Sequence, residues 1–332
     1  MSEFRRDPVS HDWIIIAPER AKRPEQLLPK REPRHPTPKK TCPFEDLQKT
    51  GNWPPFFTIP DGSKWRVAVI PNKYPALRHS PVCAAPMQTG PYVHADGIGY
   101  HDLVVSRDHT KTIADLSLER GLEIFEALQR RYRAMAEDPC LYYTTAFFNW
   151  GTSAGASLFH PHYQVLSLPI VPPEVVDSLS GSARYFKKHH RCVHCDILKH
   201  ERKVKKRIIE ENDGAIALAP FVPKSRFEVS IYPKRHQQFF ERTPRADIRA
   251  VVGVLGGVMR RMRKYLNDPD LNFFIHTAPL KDQKKYNHYH WHIDVIPKIL
   301  LPAGFEISTG IDINVIDPDK LAALLRRGKK WE

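Results

Sequence analysis

Along this chain, polar and apolar positions fall into short alternating runs that end at prolines, interrupted twice by a longer helical period. Leu118, Leu122, Phe125, Tyr132 and Met135 recur on one helical face, and the pattern closes at Asp138-Pro139. That spacing predicts a helix opened by Ser117 as its N-cap. A second helix is predicted to open at Thr243-Pro244, with threonine as N-cap and proline at the first helical position, and to close at Asp268-Pro269. Each helix leads into a strand, 142–149 and 271–276, and then, after a turn, into a histidine-bearing strand, 163–168 and 291–296. Ile70-Pro71, Leu168-Pro169, Tyr232-Pro233 and Ile296-Pro297 each terminate a β-branched or aromatic run. Both halves therefore read strand, helix, strand, strand. Short connections between the strands predict antiparallel neighbours, and the fold class is α+β with two tandem halves, each a mostly antiparallel sheet with packed helices.

The polar residues repeat in the same order. Cys42-Pro-Phe-Glu45, His109 and His160-Pro-His162-Tyr-Gln164 occur in the first half; Cys192-Val-His-Cys195, His236 and His288-Tyr-His290-Trp-His292 occur in the second. His109 and His160 are 51 residues apart, and His236 and His288 are 52 apart. This repetition places one half at 1–180 and the other at 185–332, with the Ser-, Gly- and Lys-rich stretch 178–190 as the joint.

Composition narrows the class. The chain has 332 residues, 41% of them hydrophobic, which exceeds what one core usually supports and rules out wholesale disorder. No apolar run approaches the length of a membrane span, and the N-terminus lacks an apolar signal core. Five cysteines, an odd number in a long chain, argue against a disulfide scaffold and for a reducing cytoplasm. Lys and Arg exceed Asp and Glu, 51 to 37, for a net charge of +14, so anionic partners are expected. A zinc-stabilised nucleic-acid-binding module would use that charge. Against it, the aromatic residues do not interleave with a continuous basic stripe, and no nucleic-acid partner is expected.

Residues two apart on a strand face one way, so His160, His162 and Gln164 share a face, as do His288, His290 and His292. Such rows serve metal or phosphate. Cys192-x-x-Cys195 is a zinc half-site that His236 and His288 would complete. By the repeat, Cys42, His109 and His160 form its counterpart, with Glu45 where a second cysteine would stand. His162 is then left free beside Gln164. A neutral imidazole is a good nucleophile toward a phosphoanhydride. The preceding run, Gly151-Thr-Ser-Ala-Gly155-Ala-Ser157, lets backbone N–H groups and the Ser157 hydroxyl approach phosphate oxygens.

With these motifs the sequence resembles the galactose-1-phosphate uridylyltransferase family of the histidine-triad superfamily. The likeness runs through Arg5-Arg-Asp-Pro8, the stretch from Trp13 to Pro24, Pro71 to Leu77, Arg107-Asp-His109, Asn149 to Gln164, Tyr232 to His236, His288 to His292 and Gly304-Phe305-Glu306. It implies two tandem histidine-triad-like halves and a ping-pong reaction. His162 would attack the α-phosphorus of UDP-glucose, release glucose 1-phosphate, and pass the uridylyl group to galactose 1-phosphate. The resemblance implies that Gln164 and Ser157 bind the transferring phosphoryl group, with Gly155 in the phosphate loop. Arg20, Arg23, Asn72 and Asn149 would bind the nucleotide. Gly304, Phe305 and Glu306 would reach the hexose phosphate from the second subunit of a homodimer. It also implies one or two structural Zn2+ sites. Glu45 departs from the zinc cysteine frequent in the family. The alternative within the superfamily is an adenylyltransferase or phosphorylase acting on ADP-glucose or a dinucleoside polyphosphate.

Overall fold

A computed structural model of the chain describes residues 1–21, 28, 34, 36–299 and 303–327. Its strands and helices are, in order, β1 (Glu3–Arg6), β2 (Trp13–Ile16), β3 (Phe57–Ile59), β4 (Val67–Pro71), β5 (Met87–Thr89), β6 (Tyr92–His94), β7 (Tyr100–Ser106), α1 (Leu118–Ala136), β8 (Tyr143–Trp150) and β9 (His162–Leu168). There follow α2 (Pro173–His189), α3 (Val193–Val204), β10 (Ile208–Glu211), β11 (Ala215–Leu218), β12 (Val229–Pro233), α4 (Arg245–Tyr265), β13 (Leu271–His276), β14 (His292–Pro297), α5 (Gly304–Thr309), β15 (Ile313–Asn314) and α6 (Pro318–Arg327).

The repeat becomes one sheet. Ten strands run β10-β11-β12-β14-β13-β8-β9-β7-β4-β3, so each half contributes five in the same internal order, and the halves join edge to edge at β8 and β13. All these pairs are antiparallel, as the short connections predict. A separate three-stranded sheet, β1-β2-β15, carries the N-terminus.

Alternation along the strands gives the large sheet two different faces. Val104, Phe148, Tyr163, Val165, Phe273, Ile275, Ile293 and Val295 lie in one buried apolar cluster with Leu122, Ile124, Phe125 and Leu128 of α1 and Val251, Val254, Leu255 and Val258 of α4. Burying each such side chain contributes roughly 1.5–3 kcal/mol. The opposite face carries Gln164, His276, His292 and Asp294. Register places Gln164 between Leu103 and Phe147, Phe274 beside both Phe147 and Asp294, and His276 opposite His292. The histidine-bearing strands of both halves therefore point to one side.

Ser117 caps α1 as expected, accepting the Arg120 amide. At the second helix Pro244 itself occupies the cap position and α4 starts at Arg245, so Thr243 stands one residue earlier than anticipated. The expected joint 178–190 is not a linker: it is the body of helix α2. Its glycine serves packing, since a Cβ on Gly181 would stand 1.6 Å from the Val9 carbonyl oxygen. Cys83 and Cys140 form a disulfide, which the reducing-compartment reading did not anticipate; it is a single staple, and Cys42, Cys192 and Cys195 are free. Among the described residues no helix is long and apolar enough to cross a membrane.

Candidate active site

Three groups of side chains could hold a metal ion among the described residues; two of them mark equivalent places in the two halves, and the third is His276, His292 and Asp294. In the first, donor atoms of Cys42, Glu45, His109 and His160 all lie within 4.8 Å of one another. His160 Nδ1 is 3.4 Å from Cys42 Sγ, and His109 Nδ1 is 2.5 Å from Glu45 Oε1. The far ring nitrogens are tied to backbone: His160 Nε2–H donates to the Ser106 carbonyl at 2.7 Å and His109 Nε2–H to the Thr37 carbonyl at 2.6 Å. Those bonds fix the tautomer in which Nδ1 keeps its lone pair for the cluster. Burial pushes the His160 imidazole down and the Cys42 thiol up from their ordinary values.

The second cluster is Cys192, Cys195, His236 and His290, again within 4.8 Å. Cys195 Sγ lies 3.3 Å from His236 Nδ1 and 3.5 Å from His290 Nδ1, while Nε2 of the two rings faces the Asn287 and Pro233 carbonyls, each at 3.0 Å. Hydrogen bonds from Cys195, His236 and His290 hold the Cys192 thiol well below its usual range, and the Cys192 thiolate in turn pushes Cys195 up. His290 thus stands where His288 was expected. The reason is the position of the strand. His160 lies two residues before β9 and His290 two residues before β14, whereas His288 lies two residues earlier and packs beside Phe186 and Tyr286. Spacing from His236 misled because the loop between β13 and β14 is longer than its counterpart.

His162, the first residue of β9, follows the first cluster directly. Its Nδ1–H donates to the carbonyl of His160 at 2.9 Å, so Nε2 keeps the lone pair. Burial, partly offset by that bond, pushes its pKa down, so the ring is neutral at pH 7. Phe44 lies 5.2 Å from the His162 ring and 5.4 Å from His160, restricting the imidazole's orientation.

Gln164, two residues on, meets a residue that the sequence did not single out. His101 on β7 lies 2.8 Å from Gln164 Oε1 through Nε2, while its Nδ1 accepts the Ala76 backbone N–H at 3.1 Å. Because Nδ1 accepts, the proton of the neutral ring sits on Nε2 and is donated to the Gln164 carbonyl oxygen. The amide N–H2 of Gln164 is thereby turned away, available to a ligand oxygen. Asn72 places Nδ2 3.0 Å from the same His101 nitrogen, and its Oδ1 accepts the Tyr74 N–H at 3.0 Å. The signal for His101 was its period-two relation to Leu103 and Val105; only the pairing of β7 with β9 brings it to Gln164.

The glycine loop is clamped from below. Gly151 has φ +90°, and a Cβ there would collide with the Asp270 carboxylate at 1.8 Å. Asp270 accepts the Ser153 amide at 3.0 Å and hydroxyl at 2.8 Å, and Arg34 holds the same carboxylate at 2.9 Å. Gly155 and Ser157 remain exposed beyond the clamp. Asn149 Oδ1 accepts from Asn272 at 2.8 Å across the junction of the halves. Arg20 is exposed on a short turn, Pro18–Ala21, and Arg23 lies outside the described residues. Gly304, Phe305 and Glu306 open α5, outside the strands of the large sheet; Phe305 is exposed, and Glu306 accepts the Ala303 amide at 3.1 Å.

A neutral imidazole held with its outer nitrogen bare, next to an oriented amide and a loop of small residues, suits transfer of a phosphoryl-bearing group. Comparison with known proteins leads to the same class. The family model described as the N-terminal domain of galactose-1-phosphate uridyl transferase matches residues 1–172, and a domain of unknown function, DUF4921, matches 94–327. ADP-glucose phosphorylase of Arabidopsis thaliana is 36% identical over 331 residues, covering 98% of this chain and 92% of that protein. A crystal structure of an ADP-glucose phosphorylase from the same plant, with bound ADP-glucose, aligns with a TM-score of 0.83 at 32% identity, covering 99% of this chain and 100% of that one. Galactose-1-phosphate uridylyltransferase of Thermotoga maritima is 26% identical over 336 residues, 98% of each chain. The chain therefore belongs to the galactose-1-phosphate uridylyltransferase family of nucleotidyl-transferring enzymes.

Proposed function

We propose that the protein moves a nucleoside monophosphate from a nucleoside diphosphate hexose to a phosphate-bearing acceptor, through a nucleotidyl-His162 intermediate, and that ADP-glucose is its donor. The observation that carries the transfer is the His162 Nδ1–H bond to the His160 carbonyl, which leaves Nε2 as the nucleophile. Nε2 attacks the α-phosphorus, a P–N bond forms, and the bond to the bridging oxygen breaks to release glucose 1-phosphate. Inorganic phosphate then attacks the same phosphorus, forming ADP and freeing the neutral ring. Gln164, Ser157 and the backbone N–H groups after Gly151 donate to the phosphoryl oxygens as charge grows on them. Asn72, Asn149 and Arg20 bind the nucleotide, and Gly304, Phe305 and Glu306 serve the hexose phosphate of a partner subunit in a homodimer. Greater identity to the plant phosphorylase than to the bacterial uridylyltransferase favours the adenylyl donor.

Both clusters fit Zn2+: their thiolate, imidazole and carboxylate donors converge, and their histidines are pinned from behind by carbonyls. When bound, zinc supplies folding energy and holds the approach to His162 rigid.

A second reading, UMP transfer from UDP-glucose to galactose 1-phosphate, is supported by the family model over the first half. Intact-mass measurement after incubation with ADP-glucose, and separately with UDP-glucose, distinguishes the two. An adenylyl gain that inorganic phosphate removes supports the first reading. A uridylyl gain alone replaces it with the second, and no gain with either donor rejects both.

A further inference from the structure

The second half holds a cavity of about 710 Å³ that the transfer reaction does not use. It lies between the sheet's functional face and helices α2 and α3, with His276, His292, Asp294, Ser230 and Glu228 at its floor. Its place in the fold is that of the His162 site. Gln164 pairs with Leu103 and Phe147; Asp294 pairs with Ser230 and Phe274. His162 and His292 likewise start equivalent strands, each giving its Nδ1–H to the carbonyl two residues before it. At the position where the first half offers an amide to phosphate, the second presents a carboxylate.

The charge of the cavity is opposite to that of the protein. Seven carboxyl-bearing residues line it, against one arginine and one lysine. Both cations are paired, Arg207 with Glu201 at 2.7 Å and Asp319 at 2.9 Å and Lys224 with Asp12 at 2.7 Å. Among the carboxyls, Asp294 accepts from Ser230 at 2.6 Å and His276 at 2.9 Å, and Asp196 accepts from Tyr185 at 2.9 Å and Arg191 at 3.0 Å. Glu228, pushed up to about 8 by burial, is neutral at pH 7, so six carboxylates still face two cations. In a chain of net charge +14, that is a local reversal. Polar atoms aimed into the cavity also lack partners. His194 is 2% exposed and neither of its ring nitrogens has a hydrogen bond; Glu201 is 3% exposed and its Oε2 has none. A neutral imidazole carries one acceptor nitrogen and one N–H donor, and a carboxylate oxygen only accepts, so two acceptors and one donor are unmet and the excess demand is for a hydrogen-bond donor. Phe221, Phe274, Val193 and Leu218 supply apolar and aromatic wall. The volume suits a small molecule; at the floor, ligand atoms of His276, His292 and Asp294 also lie within 4.8 Å of one another.

We propose that this cavity binds a small organic cation, an ammonium or guanidinium group on an apolar stem. The cationic head donates to the acceptor nitrogen of His194 over the Asp294 carboxylate, and the stem lies against the aromatic wall. Phosphate is excluded by the same carboxylates.

Isothermal titration of the metal-loaded protein with agmatine and with putrescine tests this. Saturable binding is expected, weakened tenfold or more in Asp294→Asn and unaffected by inorganic phosphate. Should Asp294→Asn fail to fold, the double variant Glu174→Gln, Asp312→Asn at the cavity wall must weaken binding severalfold. Absence of saturable binding by either amine overturns the proposal, as does unchanged affinity in the variants. Mn2+ or Zn2+ taken up beyond the two cysteine-containing clusters and displacing the amine also overturns it, making the floor a metal centre instead.

Discussion

Replacing His101 with phenylalanine removes the Nε2–H donor to Gln164 and the Nδ1 acceptor of the Ala76 amide while keeping a ring of similar size on β7. In the native protein that donor meets Gln164 Oε1 at 2.8 Å, and the imidazole is fixed from the other side by the Ala76 amide at 3.1 Å. Without it, the half-buried Gln164 carbonyl loses its partner, at a cost of about 1–3 kcal/mol. The amide can recover part of this by turning over, which points its oxygen, not its N–H2, at the phosphoryl group. Since 1.4 kcal/mol is a factor of ten, nucleotidylation of His162 should slow by roughly 5- to 150-fold. In the proposed mechanism Gln164 acts on charge that grows toward the transition state, so the loss belongs in kcat, with KM for the nucleotide sugar nearly unchanged. Single-turnover rapid-quench measurement of the covalent adduct reads this directly. His101→Gln, which can present an amide N–H, should recover part of the rate. A His101→Phe rate within twofold of native, or an effect confined to KM, would refute a positioning role.

Further expectations follow from the same geometry. His162→Asn should fold, retain its metal and form no covalent adduct, as intact mass would show; retained turnover would remove His162 from the mechanism. His290→Asn should cost about one equivalent of metal and lower the melting temperature, while His288→Asn keeps the full metal content, both read by elemental analysis. The buried Glu228 carboxyl is pushed up to about 8 by burial and by neighbouring Asp294. The folded state therefore holds a proton that the unfolded chain has already released, and this contribution to stability, complete below about pH 4.3, fades as pH rises toward 8. Glu228→Gln should accordingly gain melting temperature relative to native as pH goes from 5 to 8; a constant difference across that range would contradict the assignment.

Much of this protein was determined by local pattern. Two helical periods, two histidine-bearing strands and the order of cysteine, histidine and strand twice over were enough for tandem α+β halves. They also singled out seven of the eight side chains that the structure gathers into two clusters able to hold a metal, because period two on a strand and C-x-x-C spacing are properties of neighbours along the chain. Three features depended on contacts between distant segments. His290 replaces His288 because the ligand's place is measured from the start of β14, which loop length does not reveal. Residues 178–189 are helical although rich in Ser, Gly and Lys, since Gly181 lets the helix seat against Val9 and tertiary packing overrides propensity. His101 reaches Gln164, and Asp294 its acidic cavity, only through strand register. Which residues face each other across a sheet is decided by long-range pairing, and that pairing exists only once the halves have folded together.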